Sequence, residues 1–183
     1  MENRNSNRKL AGAAINGLRP YIKALELAAG ITKSANDYRY VISEDRQTAK
    51  IICNPAPGSD KPHDQWVEVA GTEKSLSDWA ALGKRVRHAF IGLKSVKDDL
   101  RLDGVYVQFT LNVLTNEAFL AQNGERLADR PQTIDEWARL GRPIEKAQFE
   151  SLNAAIDYNL EDAAKEVRAK MVRLGIFREK KSA

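Results

Sequence analysis

Apolar residues recur every three or four positions through Leu10, Ala14, Leu18, Ile22, Leu25 and Ala29, the spacing of one face of an α-helix. Asn16, Gly17 and Pro20 interrupt the run, and proline has no amide hydrogen with which to close a helical turn. The pattern predicts a short helix and a second one beginning near Arg19 and stopped by Gly30, or else a single helix kinked at the proline. From Tyr38 the period shortens to two. "YRYVIS" and "TAKIICN" are rich in aromatic and β-branched residues and flank the polar "EDRQ", which predicts a hairpin. Three prolines and a glycine between Pro55 and His63 predict an exposed loop, and "WVEVAG" a short strand after it.

Between Ser75 and Leu100 the helical period returns, with Leu82, Val86, Ala89, Phe90, Leu93, Val96 and Leu100 along one face and charged residues around the rest. "LDG" ends that helix. In "VYVQFTLNV", Val105, Val107, Phe109, Leu111 and Val113 alternate with Tyr106, Gln108, Thr110 and Asn112, so one face of a strand is covered and the other is wet. The remainder reads as helical, with a long stripe from Phe149 through Leu152, Ile156, Leu160, Ala163, Val167 and Met171 to Leu174. The fold class expected is α+β: a mostly antiparallel sheet of about four strands, helices on one face, and helical N- and C-terminal segments. One domain is expected over residues 1–183, with helices at 8–29, a core at 38–113 and helices at 133–175.

One string occurs twice. "SLSDWAALGK", residues 75–84, is echoed by "TIDEWARLGR", residues 133–142. Ser75 and Thr133 are preferred N-caps, and Asp78 and Glu136 stand where a capping box puts its acid. Leu76, Trp79 and Leu82 have helical apolar spacing, as do Ile134, Trp137 and Leu140. Gly141 is placed to end a two-turn helix, and Pro143 to open the next. Any capped amphipathic helix shows most of these features. The strand after the first copy also has helical sequence after the second, which argues against a duplication. "DEWARLGR" resembles a helical segment of ParD-like antitoxins over about a dozen residues, an analogy that adds weight to DNA-associated functions.

Composition narrows the chemistry. The chain has 183 residues, 43% hydrophobic and 30% charged, enough for one ordinary core. It lacks a membrane-spanning apolar run, and its first residues are polar, so a cytoplasmic location is expected. Its single cysteine, Cys53, excludes an internal disulfide and any site built on several thiolates. No glycine-rich phosphate loop, dinucleotide fingerprint, HExxH, EF-hand or GxSxG string occurs. No cofactor, metal site or catalytic residue is therefore expected. A net charge of +4 tilts the choice of partner toward polyanions.

The strongest candidate site is the basic run Lys84, Arg85, Arg87 and His88, extended along the same helix by Lys94, Lys97 and Arg101. Cations one or two turns apart can meet successive phosphates and release counterions. Asp98 and Asp99 dilute the patch. A second candidate is the wet strand face of Tyr106, Gln108, Thr110 and Asn112, which offers stacking and hydrogen bonds to single-stranded bases; Tyr38 and Tyr40 join it only if the strands are ordered suitably. A third is catalytic, with Cys53 activated by His63 and flanked by Asp60 and Asp64, although Cys53 shares the alternation of Ala49 and Ile51 and so reads as a small strand residue. The function expected is non-enzymatic binding of nucleic acid or a nucleoprotein complex through the basic helix. The alternative is a protein-interaction or assembly module that uses the stripe 149–174 against a protein partner or a second copy of the chain.

Overall fold

A computed structural model describes residues 2–31, 37–57, 62 and 65–152. The chain divides into two compact units, Met1–Arg142 and Pro143–Ala183, and every named strand lies in the first. The elements run α1 (Glu2–Ala28), β1 (Tyr38–Ile42), β2 (Thr48–Cys53), β3 (Val67–Glu68), β4 (Lys74–Ser75), α2 (Leu76–Leu102), β5 (Gln108–Asn112), β6 (Glu117–Gln122) and β7 (Glu125–Arg126). Residues 134–152 are helical as well, and this helix is called α3. The arrangement is α+β, as the periodicity predicts. Its strands are shared between two small antiparallel sheets, one of four strands and one of three, with helices packed against them.

Of the two readings of the N-terminal stripe the single helix is the one that forms: α1 runs through Pro20 from Glu2 to Ala28, with Ala14, Leu18 and Ala24 buried along it. Two other local expectations are corrected. Gly141 does not end a helix, since α3 runs through it. The segment after Val113, read as helical, begins with a hairpin: β5 pairs with β6 from Gln108↔Ala121 to Asn112↔Glu117, and β6 with β7. "EAFLAQ" is composed largely of good helix formers, yet Ala118 and Leu120 alternate inward and are fully buried. The Asn-Gly turn that follows has φ of 52° at Asn123 and 86° at Gly124, the left-handed pair that a two-residue hairpin turn needs.

The hairpins make the echo a structural duplication. In the first copy Ile42 pairs with Ala49, and in the second Leu111 pairs with Ala118, with equal separation. Val69 N–H donates to Ile51 O and Leu127 N–H to Leu120 O, both at 2.9 Å. Leu76 N–H reaches Gln47 O at 2.9 Å, and Ile134 N–H reaches Asn116 O at 3.1 Å. The bridge Thr48↔Ser75 has its counterpart in Glu117↔Thr133. Each copy then launches its capped helix, whose tryptophan is fully buried. Trp79 Nε1 donates to Ala49 O at 3.0 Å, and Trp137 Nε1 to Ala118 O at 2.9 Å. The counterpart of each hairpin lies before the echoed string and not after it, so comparing downstream residues concealed the repeat.

The helix ahead of each hairpin belongs to the repeat too. Ala14, Gly17 and Leu18 of α1 correspond to Ala89, Gly92 and Leu93 of α2, and all six are buried. A Cβ on Gly83 would stand 2.7 Å from Gly17 N, and one on Gly17 would collide with Trp79 O. Likewise a Cβ on Gly92 would stand 2.6 Å from Trp137 O, and one on Gly141 would collide with His88 O. Each junction brings two helix backbones closer than side chains allow, and glycine is required there. Helix α2 takes part in both, closing the first copy with its N-terminal half and opening the second with its C-terminal half. Two cores result, one around Trp79 with Ala14, Leu18 and Ile51, the other around Trp137 with Leu93, Leu120 and Ile134.

Candidate nucleic-acid interface on the second helix

Because the buried face of α2 changes between its two halves, residues two turns apart keep an outer flank clear of both cores. Arg87, Lys94 and Arg101 are spaced by seven and lie in line on it, with Lys84 one turn ahead of Arg87; all four are exposed. At 1.5 Å per residue the row spans about 25 Å. Lys94 is partly committed, donating to Asp98 at 2.8 Å. That bond holds the Asp98 carboxyl below its usual range, with Lys94, Arg101 and Lys97 adding to the effect.

Two members of the predicted set are elsewhere. Arg85 projects from a different flank and donates to Asp135 of α3 at 3.3 Å. His88 is 4% exposed, and its carbonyl forms the close approach to Gly141. The backbone at His88 therefore lies at the α2–α3 crossing.

Reading the residues singly missed an aromatic centre beside this row. Phe90 is 44% exposed and meets Phe109 of β5 edge to face, centroids 5.5 Å apart and planes at 78°. Lys97 Nζ lies 5.4 Å from the Phe109 centroid, a cation–π distance. Next to Phe90 a cavity of about 420 Å³ opens between α1, α2 and β5, lined by Asn16, Pro20, Gly83, Val86, Arg87, Phe90 and Leu111. In sequence Phe90 reads as the edge of an apolar stripe; its fractional exposure is a tertiary property.

The duplication separates what the scaffold requires from what it does not. In register, Trp79, Gly83 and Ala89 are repeated as Trp137, Gly141 and Ala147, whereas Arg87 and Phe90 correspond to Glu145 and Gln148. The junction glycines and tryptophans persist because both helix crossings need them; the arginine and the phenylalanine carry no such constraint.

The other candidates fare differently. Gln108 and Thr110 share the open face of β5, Tyr106 precedes the strand at 75% exposure, and Asn112 Oδ1 accepts from Leu114 N–H at 3.0 Å. Tyr38 and Tyr40 belong to the other sheet and do not extend that face. Cys53 is half-buried opposite Tyr38, while His63, Asp60 and Asp64 lie outside the described residues. Burial first, then Cys53, Asp37 and Glu26, push the Tyr38 hydroxyl above its ordinary pKa. Among the described residues no group of three or more His, Cys, Asp or Glu could hold a metal ion, and no helix is long and apolar enough to cross a membrane. Of the C-terminal stripe, Phe149 and Leu152 are 51% and 55% exposed; Ile156 to Leu174 lie outside the described residues. Comparison with protein-family models, curated proteins and solved structures finds no match to this chain.

Proposed function

We propose that this protein is a non-enzymatic binding protein that holds nucleic acid, free or within a nucleoprotein complex, on the outer flank of α2. The observation that carries the reading is the exposed row Lys84, Arg87, Lys94 and Arg101, which the second copy of the repeat does not reproduce. Cations in a line at one- and two-turn intervals suit a phosphate backbone, and each phosphate neutralised steepens the salt dependence by a slope of roughly 0.7 to 0.9. With Lys94 shared with Asp98, the total slope should stay below the roughly three to four that four phosphate contacts give. The test is binding of labelled DNA and RNA by the full chain across salt concentrations. Arg87→Glu and Arg101→Glu should each weaken binding and flatten the slope, whereas Arg85→Ala should leave both close to the parent protein. An affinity indifferent to salt removes this reading.

A second reading, an assembly module, is favoured by the half-exposed Phe149 and Leu152 at the start of the C-terminal stripe. It predicts a concentration-dependent mass above the 20.5 kDa of the chain, reduced by Leu152→Glu. The enzymatic reading through Cys53 and His63 predicts rapid, selective labelling of Cys53 in the folded protein. Slow labelling dismisses it.

A further inference from the structure

We infer that the α2 flank is built for single-stranded nucleic acid, with one unstacked base seated in the cavity between α1, α2 and β5 and its neighbouring phosphates on Arg87 and Lys94. The inference rests on the nucleic-acid reading of the same flank and goes beyond it by naming the form of the polymer and the seat of one base.

The cavity has the chemistry of a base site. Its volume of about 420 Å³ lies in the range of small-ligand pockets. Its walls are apolar at Pro20, Val86 and Leu111, and Phe90 contributes an aromatic ring whose edge-on contact with Phe109 fixes its orientation. A planar, weakly polar ring stacks on such a surface whatever its sequence identity. The polar groups are few and placed to hydrogen-bond. The Asn16 side chain carries both a donor and an acceptor. Arg87 belongs to both features, lining the cavity and forming part of the exposed row, so a base inside and a phosphate outside fall within reach of adjacent groups.

A duplex meets this surface differently. Its bases are stacked and paired, and extruding one carries an unpairing cost that a single strand does not spend. The cation row serves either polymer, but only the single strand gains the cavity. Selection by strandedness is therefore the signature, and it separates this inference from simple phosphate attraction.

The experiment uses the full-length protein with a fluorescein-labelled, mixed-sequence single strand and the duplex it forms with its complement, each titrated at several salt concentrations. The single strand is expected to bind more tightly by roughly ten-fold, the worth of about one stacked base. Phe90→Leu keeps apolar bulk but removes the aromatic face; it should bring single-strand affinity down to that of the duplex without altering the salt slope. Phe90→Trp should retain the preference, and circular dichroism shows that each variant is folded. Equal, salt-dependent binding of both forms, indifferent to Phe90→Leu, overturns the base seat while leaving the nucleic-acid reading standing. Absence of salt-dependent binding overturns both.

Discussion

Gly17, Gly83, Gly92 and Gly141 each stand where a methyl group would enter the backbone of a neighbouring helix. Alanine is the better helix former by roughly 1 kcal/mol, but overpacking against an immovable backbone outweighs that gain. Gly17→Ala and Gly141→Ala should each destabilise the protein by about 2 kcal/mol or more, read as a lowered urea midpoint. Gly12 is the control: its Cβ would meet nothing within 4 Å, so Gly12→Ala should be neutral or stabilise by up to about 1 kcal/mol. The tryptophans make a second pair. Trp79→Phe and Trp137→Phe remove the indole donor and leave Ala49 O or Ala118 O without it, at an expected cost of about 1 to 3 kcal/mol each. At this scale the sequence was half legible. It marked Trp79, Trp137, Gly83 and Gly141 as members of a repeated string and Gly17 only as an interruption, and Gly141 read as a helix end because the same residue serves termination and close packing, which only a neighbouring helix distinguishes.

The N-terminal caps of α2 and α3 were read correctly from their spacing. Ser75 Oγ accepts from Asp78 N–H at 3.1 Å; Thr133 Oγ1 accepts from Glu136 N–H at 3.3 Å, and Glu136 Oε2 accepts in return from Thr133 N–H at 3.0 Å. Ser75→Ala and Thr133→Ala should each cost about 1 kcal/mol. The Thr133 hydroxyl, then the Gln132 and Thr133 amides, hold the Glu136 carboxyl below its ordinary pKa. A carboxyl whose folded value is depressed stabilises the fold fully above its unfolded value and loses that contribution as the pH falls through the folded one. The cap of α3 therefore weakens below about pH 4.5, and Glu136→Gln should make the acid limb of the stability profile shallower. Strands divided by the clarity of their alternation. "YRYVIS", "TAKIIC" and "VQFTLN" announced themselves by β-branched and aromatic residues, while "EAFLAQ" did not, since alanine, leucine and glutamate say helix until the Asn-Gly turn behind them is given weight.

For the first unit as a whole, the decisive fact is that α2 belongs to both copies, contributing Trp79 to one core and Leu93 to the other. Neither core can dissolve without freeing half of a shared helix, so Met1–Arg142 should unfold in one transition. With Trp66 also replaced by Phe, the fluorescence of Trp79 in a Trp137→Phe background, and that of Trp137 in a Trp79→Phe background, should follow the circular-dichroism signal within the same variant. Separated transitions would show two independently stable halves. This level was the least legible. The copies differ in the connection after their second strand, thirteen residues from Asn54 to Trp66 in one and Asn123-Gly124 in the other, and that insertion shifts the register which a comparison of strings relies on. The candidate interface was legible as charge, through Lys84, Arg87, Lys94 and Arg101. Its aromatic half depends on Phe109 arriving from a strand that periodicity identifies but cannot place.

The shared helix also sets a rule of succession. Each copy consumes a helix that precedes it and leaves one behind, so the pattern resembles a polymer whose growing end is always a helix with a small residue at the crossing. In α3 the position in register with Gly92 is occupied by Glu150, a long charged side chain where the two earlier helices carry hydrogen. The glycine that both described crossings rely on is thus not repeated at that position of α3.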